Sequence, residues 1–376
     1  MIKVLIVDDS SFIRVRIRTL LETSDKIKVI GIARNGMDAV HKTIILKPDV
    51  ITMDINMPDI SGIEAVELIM KQRPTPIIMV SSLTYDGAYE TLEALEKGAV
   101  DYIHKDNLSE EILIEKILIA NEAKISIDGG SAKETKKSRE SGKPHSTRYA
   151  DFTKKPSISF IHHEKKELPD DFFEPQYNAN LIAKPRDFSI IGIGISTGGP
   201  KALATVLPRI SADIPASIVI AQHMPSTFTK PLAERLDRIS QLRVKEAEDG
   251  EQLLPGHAYI CPGGKHIMIE KKDIVTLYDK KSFANLHYCP SASLLMSSIA
   301  KVYGDKAMCV IMTGMGSDGL EGITEAKEKG SYVIAQSESS SVIFGMPKAV
   351  IINNLHDEIV HLDNIADRIN KLCLKE

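Results

Sequence analysis

The stretch Ile190 to Pro200 reads I-I-G-I-G-I-S-T-G-G-P and holds one serine, Ser196, on a glycine-rich turn between an apolar strand and a helix. A hydroxyl held there lies at the carboxyl edge of a sheet, close to backbone N–H groups at a helix start, where a nucleophile or an anion is bound. A serine nucleophile needs a base and an orienting acid. The strand Ser217–Ala221 runs into Q-H-M-P, which sets His223 at a strand end. A lone strand-end histidine is more often structural. A later strand, Ala307–Met312, however, runs into T-G-M-G-S-D-G and puts Asp318 on another glycine-rich loop at the same edge. Serine, histidine and aspartate on three strand-end loops meet the geometric demand of a triad: the ring takes the hydroxyl proton, and the carboxylate orients the ring and stabilises its charged form.

Two other readings of the turn compete. Gly194 to Gly198 matches G-x-S-x-G, but an α/β-hydrolase runs serine, acid, histidine, whereas the order here is Ser196, His223, Asp318. Gly192, Gly194 and Gly198 approximate the dinucleotide fingerprint, with the third glycine one place late and Thr197 in its slot. About 20 residues further on, where a ribose-binding acid belongs, stand Gln222 and His223.

A second constellation lies near the start of the chain. Asp8 and Asp9 close one apolar run, Asp54 another, Ser81 a third and Lys105 a fourth. Carboxylates clustered at one sheet edge repel one another and call for a cation, and hard oxygen ligands of this kind suit Mg²⁺. A hydroxyl and an ammonium converging on the same place suit phosphoryl oxygens.

The elements that must position these groups follow from the apolar pattern. Strand and helix alternate five times in about 120 residues, beginning with Lys3–Val7 and Ser11–Leu21 and ending with Asp101–His104 and Glu110–Glu122. That alternation predicts a doubly wound parallel sheet, with ligands beyond the carboxyl ends of its strands. From about Ser126 to Pro185 the pattern gives way to polar, charged sequence that reads as a flexible linker. From Phe188 the alternation resumes, with strands at Ser189–Ile193, Ser217–Ala221, Ala307–Met312 and Tyr332–Ala335. Leu253–Cys261 and Ile267–Tyr278 are expected to form a hairpin around Pro262-Gly263-Gly264. The predicted architecture is two α/β domains, 1–125 and 187–376, joined by a long polar linker at 126–186, the second domain carrying an antiparallel hairpin.

The bulk properties exclude several classes. The chain has 376 residues, 43% hydrophobic and 26% charged, which is ordinary globular composition. A net charge of −4 argues against a general nucleic-acid binder. The four cysteines, Cys261, Cys289, Cys309 and Cys373, form no C-x-x-C pair and fit a reducing, cytoplasmic setting. No apolar run approaches the roughly 20 residues that span a bilayer, so no membrane insertion is expected. Asp8 and Asp9 cut short the first apolar run, which does not read as a signal peptide.

Residues 1 to about 122 resemble the receiver domain of two-component response regulators. The likeness rests on V-D-D-S at Val7–Ser10, M-D-I-N-M-P at Met53–Pro58, V-S-S at Val80–Ser82 and D-Y-I-H-K at Asp101–Lys105. It implies a flavodoxin-like fold in which Asp54 accepts a phosphoryl group from a histidine kinase. Asp8, Asp9 and Asp54, with the backbone carbonyl of Asn56, would hold Mg²⁺. Ser81 and Lys105 would contact the phosphoryl oxygens, and Tyr102 would be the switch aromatic. The family usually has proline after the lysine; here Asp106 follows.

Phe188 to about Leu362 resembles the catalytic domain of chemotaxis-specific protein-glutamate methylesterases. The shared motifs are I-S-T-G-G-P at Ile195–Pro200, Q-H-M-P at Gln222–Pro225, P-G-H-A-Y-I at Pro255–Ile260, M-T-G-M-G-S-D-G at Met312–Gly319 and F-G-M-P at Phe344–Pro347. The resemblance implies hydrolysis of γ-glutamyl methyl esters on chemoreceptor helices with release of methanol, and, as often in the family, deamidation of receptor glutamines. Ser196 would be the nucleophile, His223 the base and then the acid, and Asp318 the orienting carboxylate. The N–H of Met315 would serve the oxyanion hole, Thr197 would orient His223, and the esterase step would need no cofactor. Partners would be methyl-accepting chemoreceptors as substrate and a chemotaxis histidine kinase as phosphodonor. The unphosphorylated receiver is expected to cover the Ser196 cleft. Where the family has R-P-S-V-D, this chain has Cys289-Pro290-Ser291-Ala292-Ser293, and that change keeps a non-catalytic scaffold in play as the alternative.

Overall fold

The computed structural model describes residues 1–82, 85–125, 173 and 186–374. The expected linker, 126–186, lies outside the described residues apart from Phe173 and Arg186.

The first half alternates β1 (Ile2–Val7), α1 (Ser11–Leu21), β2 (Ile27–Ala33), α2 (Gly36–Leu46), β3 (Val50–Asp54), α3 (Gly62–Gln72), β4 (Ile77–Ser81), α4 (Tyr85–Glu96), β5 (Asp101–His104) and α5 (Glu110–Glu122). Its helices start where short polar side chains can accept the free N–H groups of a first turn. Ser10, Asn35 and Ser109 accept from Ile13, Asp38 and Ile112, and Ser61 with Glu64 forms a reciprocal capping box. The strands pair in the order β2-β1-β3-β4-β5, all parallel, with β3 and β4 buried along their whole length. Burial on both faces is why these strands read as unbroken apolar runs.

The second half runs β6 (Ile190–Ile195), α6 (Gly199–Val206), β7 (Ser217–Gln222), α7 (Ser226–Ile239), β8 (Arg243–Glu246), β9 (His257–Ile260), β10 (Lys265–Lys271), β11 (Ile274–Asp279) and α8 (Ala292–Tyr303). It continues with β12 (Ala307–Ile311), α9 (Leu320–Glu328), β13 (Tyr332–Gln336), α10 (Met346–Ile352), β14 (Glu358–Val360) and α11 (Leu362–Cys373). Seven of these strands form one parallel sheet in the order β14-β13-β12-β6-β7-β9-β8. The central strand β6 pairs with β7 on one side (Ile195 opposite Gln222) and with β12 on the other (Gly194 opposite Ile311). This register brings the loops after β6, β7 and β12 to one edge.

One expectation is corrected. The hairpin is β10 with β11, antiparallel, and Leu253–Cys261 is not part of it. The stretch instead contributes β9, which lies parallel to β7 and β8 in the main sheet. Pro262-Gly263-Gly264 has the composition of a hairpin turn but acts as a connection between sheets. The true turn is at Lys272-Asp273, where Asp273 takes the left-handed conformation (φ 60°) that aspartate tolerates better than most residues.

Close approach of α8 to β6 depends on the absence of side chains at Gly192 and Gly194. A Cβ on Gly192 would sit 2.5 Å from Ile299 Cδ1 and 2.9 Å from Met296 Sδ. Gly192→Val is expected to cost about 1–3 kcal/mol by overpacking. The check is urea unfolding of the full chain, with the midpoint lowered and the slope unchanged.

Candidate active site

Ser196 follows β6 directly, on a turn closed by its own carbonyl accepting from Gly199 N–H (2.8 Å). Gly198 takes φ 79° as it enters α6, a conformation that costs glycine nothing. Gly314, on the loop after β12, comes so close that a Cβ there would lie 2.7 Å from Ser196 Cβ. His223 follows β7. Gln222 donates from Nε2 to the carbonyl oxygens of both Ser196 and His223, each at 3.1 Å, and so ties the two loops together.

Asp318 meets His223 as the three-loop pattern anticipates. His223 Nε2 lies 2.8 Å from Asp318 Oδ2. The carboxylate also accepts from Ser291 Oγ (3.0 Å) and from the N–H groups of Ala292 (2.7 Å), Ser293 (3.0 Å) and Gly319 (2.9 Å). Ala292 and Ser293 open α8, so the anion sits on a helix N-terminus, where free N–H groups and the helix dipole favour negative charge. Burial pushes the Asp318 carboxyl up, but the His223 ring and the Ser293 and Ala292 N–H groups outweigh it and hold it at about 2. A carboxylate that only accepts requires His223 to donate from Nε2, which leaves Nδ1 as the basic lone pair of the neutral ring. Nδ1 is buried and without a hydrogen-bond partner among the described residues. Ser196 and His223 line the same cleft, of about 560 Å³, and no hydrogen bond joins their side chains among the described residues.

Met315 lines the cleft as well, and its N–H makes no hydrogen bond to another described residue. Thr197 departs from its expected role: Oγ1 donates to Asp101 Oδ2 (3.2 Å) rather than to the His223 ring. The altered helix start has clear partners. Ser293 Oγ accepts from Gly319 N–H (2.8 Å), and Cys289 Sγ lies 3.3 Å from the Lys265 carbonyl oxygen. Tyr288 did not stand out in the sequence. The Tyr288 ring stacks on one face of His223 at 4.7 Å between centroids and 7° between planes. Its one outward signal was its place next to the Cys289–Ser293 stretch.

In the first half, Asp8, Asp9 and Asp54 bring one carboxylate oxygen each within 4.8 Å of one another. Lys105 Nζ lies 2.8 Å from Asp54 Oδ1 and 3.3 Å from Asp8 Oδ2. Burial first, then the Asp8 charge, pushes the Asp54 carboxyl up to about 6 against the pull of Lys105. Ser81 Oγ is buried without a hydrogen-bond partner among the described residues, and Asp8 Oδ2, buried as well, faces the Lys105 ammonium, an arrangement that fits a phosphoryl contact beside a cation site. Asn56 has its side chain on Glu90 (3.2 Å). Where the family's proline is replaced, Asp106 N–H donates to His104 Nδ1 (3.2 Å) and the chain forms a short 3₁₀ turn over Lys105–Asn107.

The two halves meet over the serine. Asp101, Tyr102, Ile112 and Lys116 line the same cleft as Ser196 and His223. The Tyr102 ring packs on Phe228 of α7 at 4.5 Å, Asp101 is paired with Lys116 (2.7 Å), and α4 lies along α7. Across that contact Glu96 takes both Nε and one terminal nitrogen of Arg235, and Tyr89 bonds Glu234.

Residues 4–117 match the family model of the response regulator receiver domain, and residues 191–369 match that of CheB methylesterase. A protein-glutamate methylesterase/protein-glutamine glutaminase of Lawsonia intracellularis is 43% identical over 380 residues, covering 100% of both chains. The chain belongs to this family. A Pseudomonas putida relative of the same name, from a group 1 operon, is 41% identical and covers 99% of this chain and 100% of its own. Among solved structures, the catalytic domain of Thermotoga maritima CheB methylesterase is 40% identical, covering 50% of this chain and 100% of that one, with a TM-score of 0.47.

Stacking on His223 gives Tyr288 a measurable role. Tyr288→Ala is expected to slow fluorophosphonate labelling of Ser196 about 10–100-fold by loosening the ring, while Tyr288→Phe keeps near wild-type rates. Equal rates in all three proteins would mean that the stacked ring does not position His223.

Proposed function

We propose that this protein is a phosphorylation-regulated methylesterase acting on glutamate γ-methyl esters of chemoreceptors, with glutamine deamidation through the same acyl-enzyme. The observation that carries the reading is a histidine bonded through Nε2 to a buried carboxylate, its Nδ1 bare, in one cleft with a serine. Ser196 Oγ attacks the ester carbonyl as His223 Nδ1 takes its proton. The oxyanion is met by Met315 N–H, and such a donor contributes about 3–4 kcal/mol in other hydrolases. The tetrahedral species collapses and methanol leaves with the proton from His223. Water, deprotonated by His223, then cleaves the acyl-enzyme and restores the serine. Asp318 keeps the ring in the tautomer this sequence needs and stabilises its cationic form. No residue of the triad needs a cofactor for these steps.

The departure at Cys289–Ser293 does not favour a scaffold over an enzyme. Ser293 donates its N–H to Asp318 and accepts from Gly319, so the altered helix start still supports the carboxylate. Methanol release from methylated receptor membranes tests the activity: Ser196→Ala should abolish it by about 10⁴-fold or more. No release from phosphorylated wild type would leave the scaffold reading.

In the receiver, residues 1–125, Asp54 is the proposed phosphoryl acceptor, Ser81 and Lys105 its oxygen contacts and Tyr102 the switch aromatic. Asp8, Asp9, Asp54 and the Asn56 carbonyl would hold Mg²⁺, which would supply charge neutralisation for the incoming phosphoryl group. The phosphodonor is a chemotaxis histidine kinase. The location is cytoplasmic; no helix among the described residues is long and apolar enough to cross a membrane. Asp54 titrates at about 6 in the folded protein against 3.8 ordinarily, so the fold holds this proton more tightly than the unfolded chain does. The contribution of this group to stability is therefore fully present below 3.8 and is lost as pH rises through about 6. Mg²⁺ competes with that proton, so it should raise the melting temperature more at pH 8 than at pH 5, and Asp54→Asn should remove the difference.

Regulation follows from the cover over the cleft. A chain starting at Arg186, and full-length Arg235→Ala, should both exceed the unphosphorylated full chain in esterase rate, and a phosphodonor should close the gap. Equal rates in all of them would remove the receiver from control.

A further inference from the structure

His266 lies on β10, outside every motif assigned above, with its ring fully buried (0% exposed). Nδ1 accepts from the Ser291 N–H at 3.2 Å, and the ring meets Phe283 edge-on at 5.4 Å. A backbone N–H can only donate, so Nδ1 is a bare lone pair and the neutral ring carries its proton on Nε2. Nε2 is buried without a partner among the described residues. An apolar side chain would fill this space beside Phe283 without stranding a donor. What the histidine adds is the acceptor at Nδ1.

The residue it holds is itself a junction. Ser291 caps α8: Oγ accepts from Leu294 N–H (3.3 Å) and spends its single proton on Asp318 Oδ1 (3.0 Å). Asp318 Oδ2 in turn receives His223 Nε2. A continuous chain of hydrogen bonds therefore runs from the β10 hairpin through the start of α8 to the histidine beside Ser196.

We propose that His266 is a positioning residue of the active site, fixing the Ser291 backbone so that the Ser291 hydroxyl and the first N–H groups of α8 hold Asp318 in line with His223. Burial, with Lys280 acting in the same direction and Asp318 against it, pushes the His266 ring toward its neutral form, the one that can accept. The inference rests on the esterase reading of the same cleft and deepens it.

The test compares full-length wild type with His266→Leu, His266→Phe and His266→Asn. Asparagine can present Oδ1 where Nδ1 was; leucine and phenylalanine cannot, and phenylalanine keeps the ring. The expected result is kcat for methanol release down about tenfold in the leucine and phenylalanine variants with KM unchanged, and most of it recovered by asparagine. Wild-type kcat in a folded leucine or phenylalanine variant would overturn the proposal. So would an asparagine variant no better than they are, or a wild-type rate with asparagine while neither apolar variant folds, since the bond would then serve the fold alone. Fluorophosphonate labelling of Ser196 is read in parallel. If wild type releases no methanol, the esterase reading fails, while the labelling rates still report whether His266 tunes the serine.

Discussion

The second half of the molecule is organised around one buried anion. Asp318 is 9% exposed, and a carboxylate removed from water to that degree is stable only if its oxygens are fully bonded. The start of α8 meets that demand with two backbone N–H groups and the Ser291 hydroxyl, the glycine after Asp318 adds another, and the His223 ring completes the set. Because these donors are fixed by a helix terminus and a tight turn, the carboxylate has little freedom, and neither does the imidazole it holds. The tautomer of His223 is thus a consequence of where a helix begins.

Placing that helix start within reach of β7's loop needs α8 flat against β6, and this explains the small residues in the central strand. Gly192 and Gly194 let Ile299, Met296 and Ala292 come down onto the backbone. The same glycine economy at Gly314 brings the β12 loop against Ser196. The cleft that results is lined on the receiver side by β5 and α5. Thr197, next to the serine, gives its hydroxyl to Asp101. Lys105 and Tyr102 are near neighbours at the end of β5, the first against Asp54 and the second against Phe228.

Much of this was legible in the sequence because strand-end loops are local features. Ser196, His223 and Asp318 each follow an apolar run, and a parallel sheet brings such loops to one edge whatever the order of the strands. The acidic pocket was legible for the same reason. What could not be read were contacts set by packing between distant segments. Tyr288 over His223, Ser291 under Asp318 and Glu96 against Arg235 join residues with no shared periodicity. The misplaced hairpin has a different cause: Pro262-Gly263-Gly264 carries stronger turn composition than Lys272-Asp273, and only the register of β9 against β7 decides between them. Thr197 shows the limit of motif transfer, since its hydroxyl is engaged by the other half of the chain.

The central claim is that His223 carries its proton on Nε2 and keeps Nδ1 free for Ser196. Nitrogen-15 NMR of histidine-labelled full-length protein, with the His223 signals assigned by their loss in His223→Gln, reads this directly at a pH where the ring is neutral. The account predicts a protonated Nε2 coupled to a strongly deshielded hydrogen and an unprotonated Nδ1, with the deshielded hydrogen lost in Asp318→Asn. A neutral ring protonated at Nδ1 would contradict it.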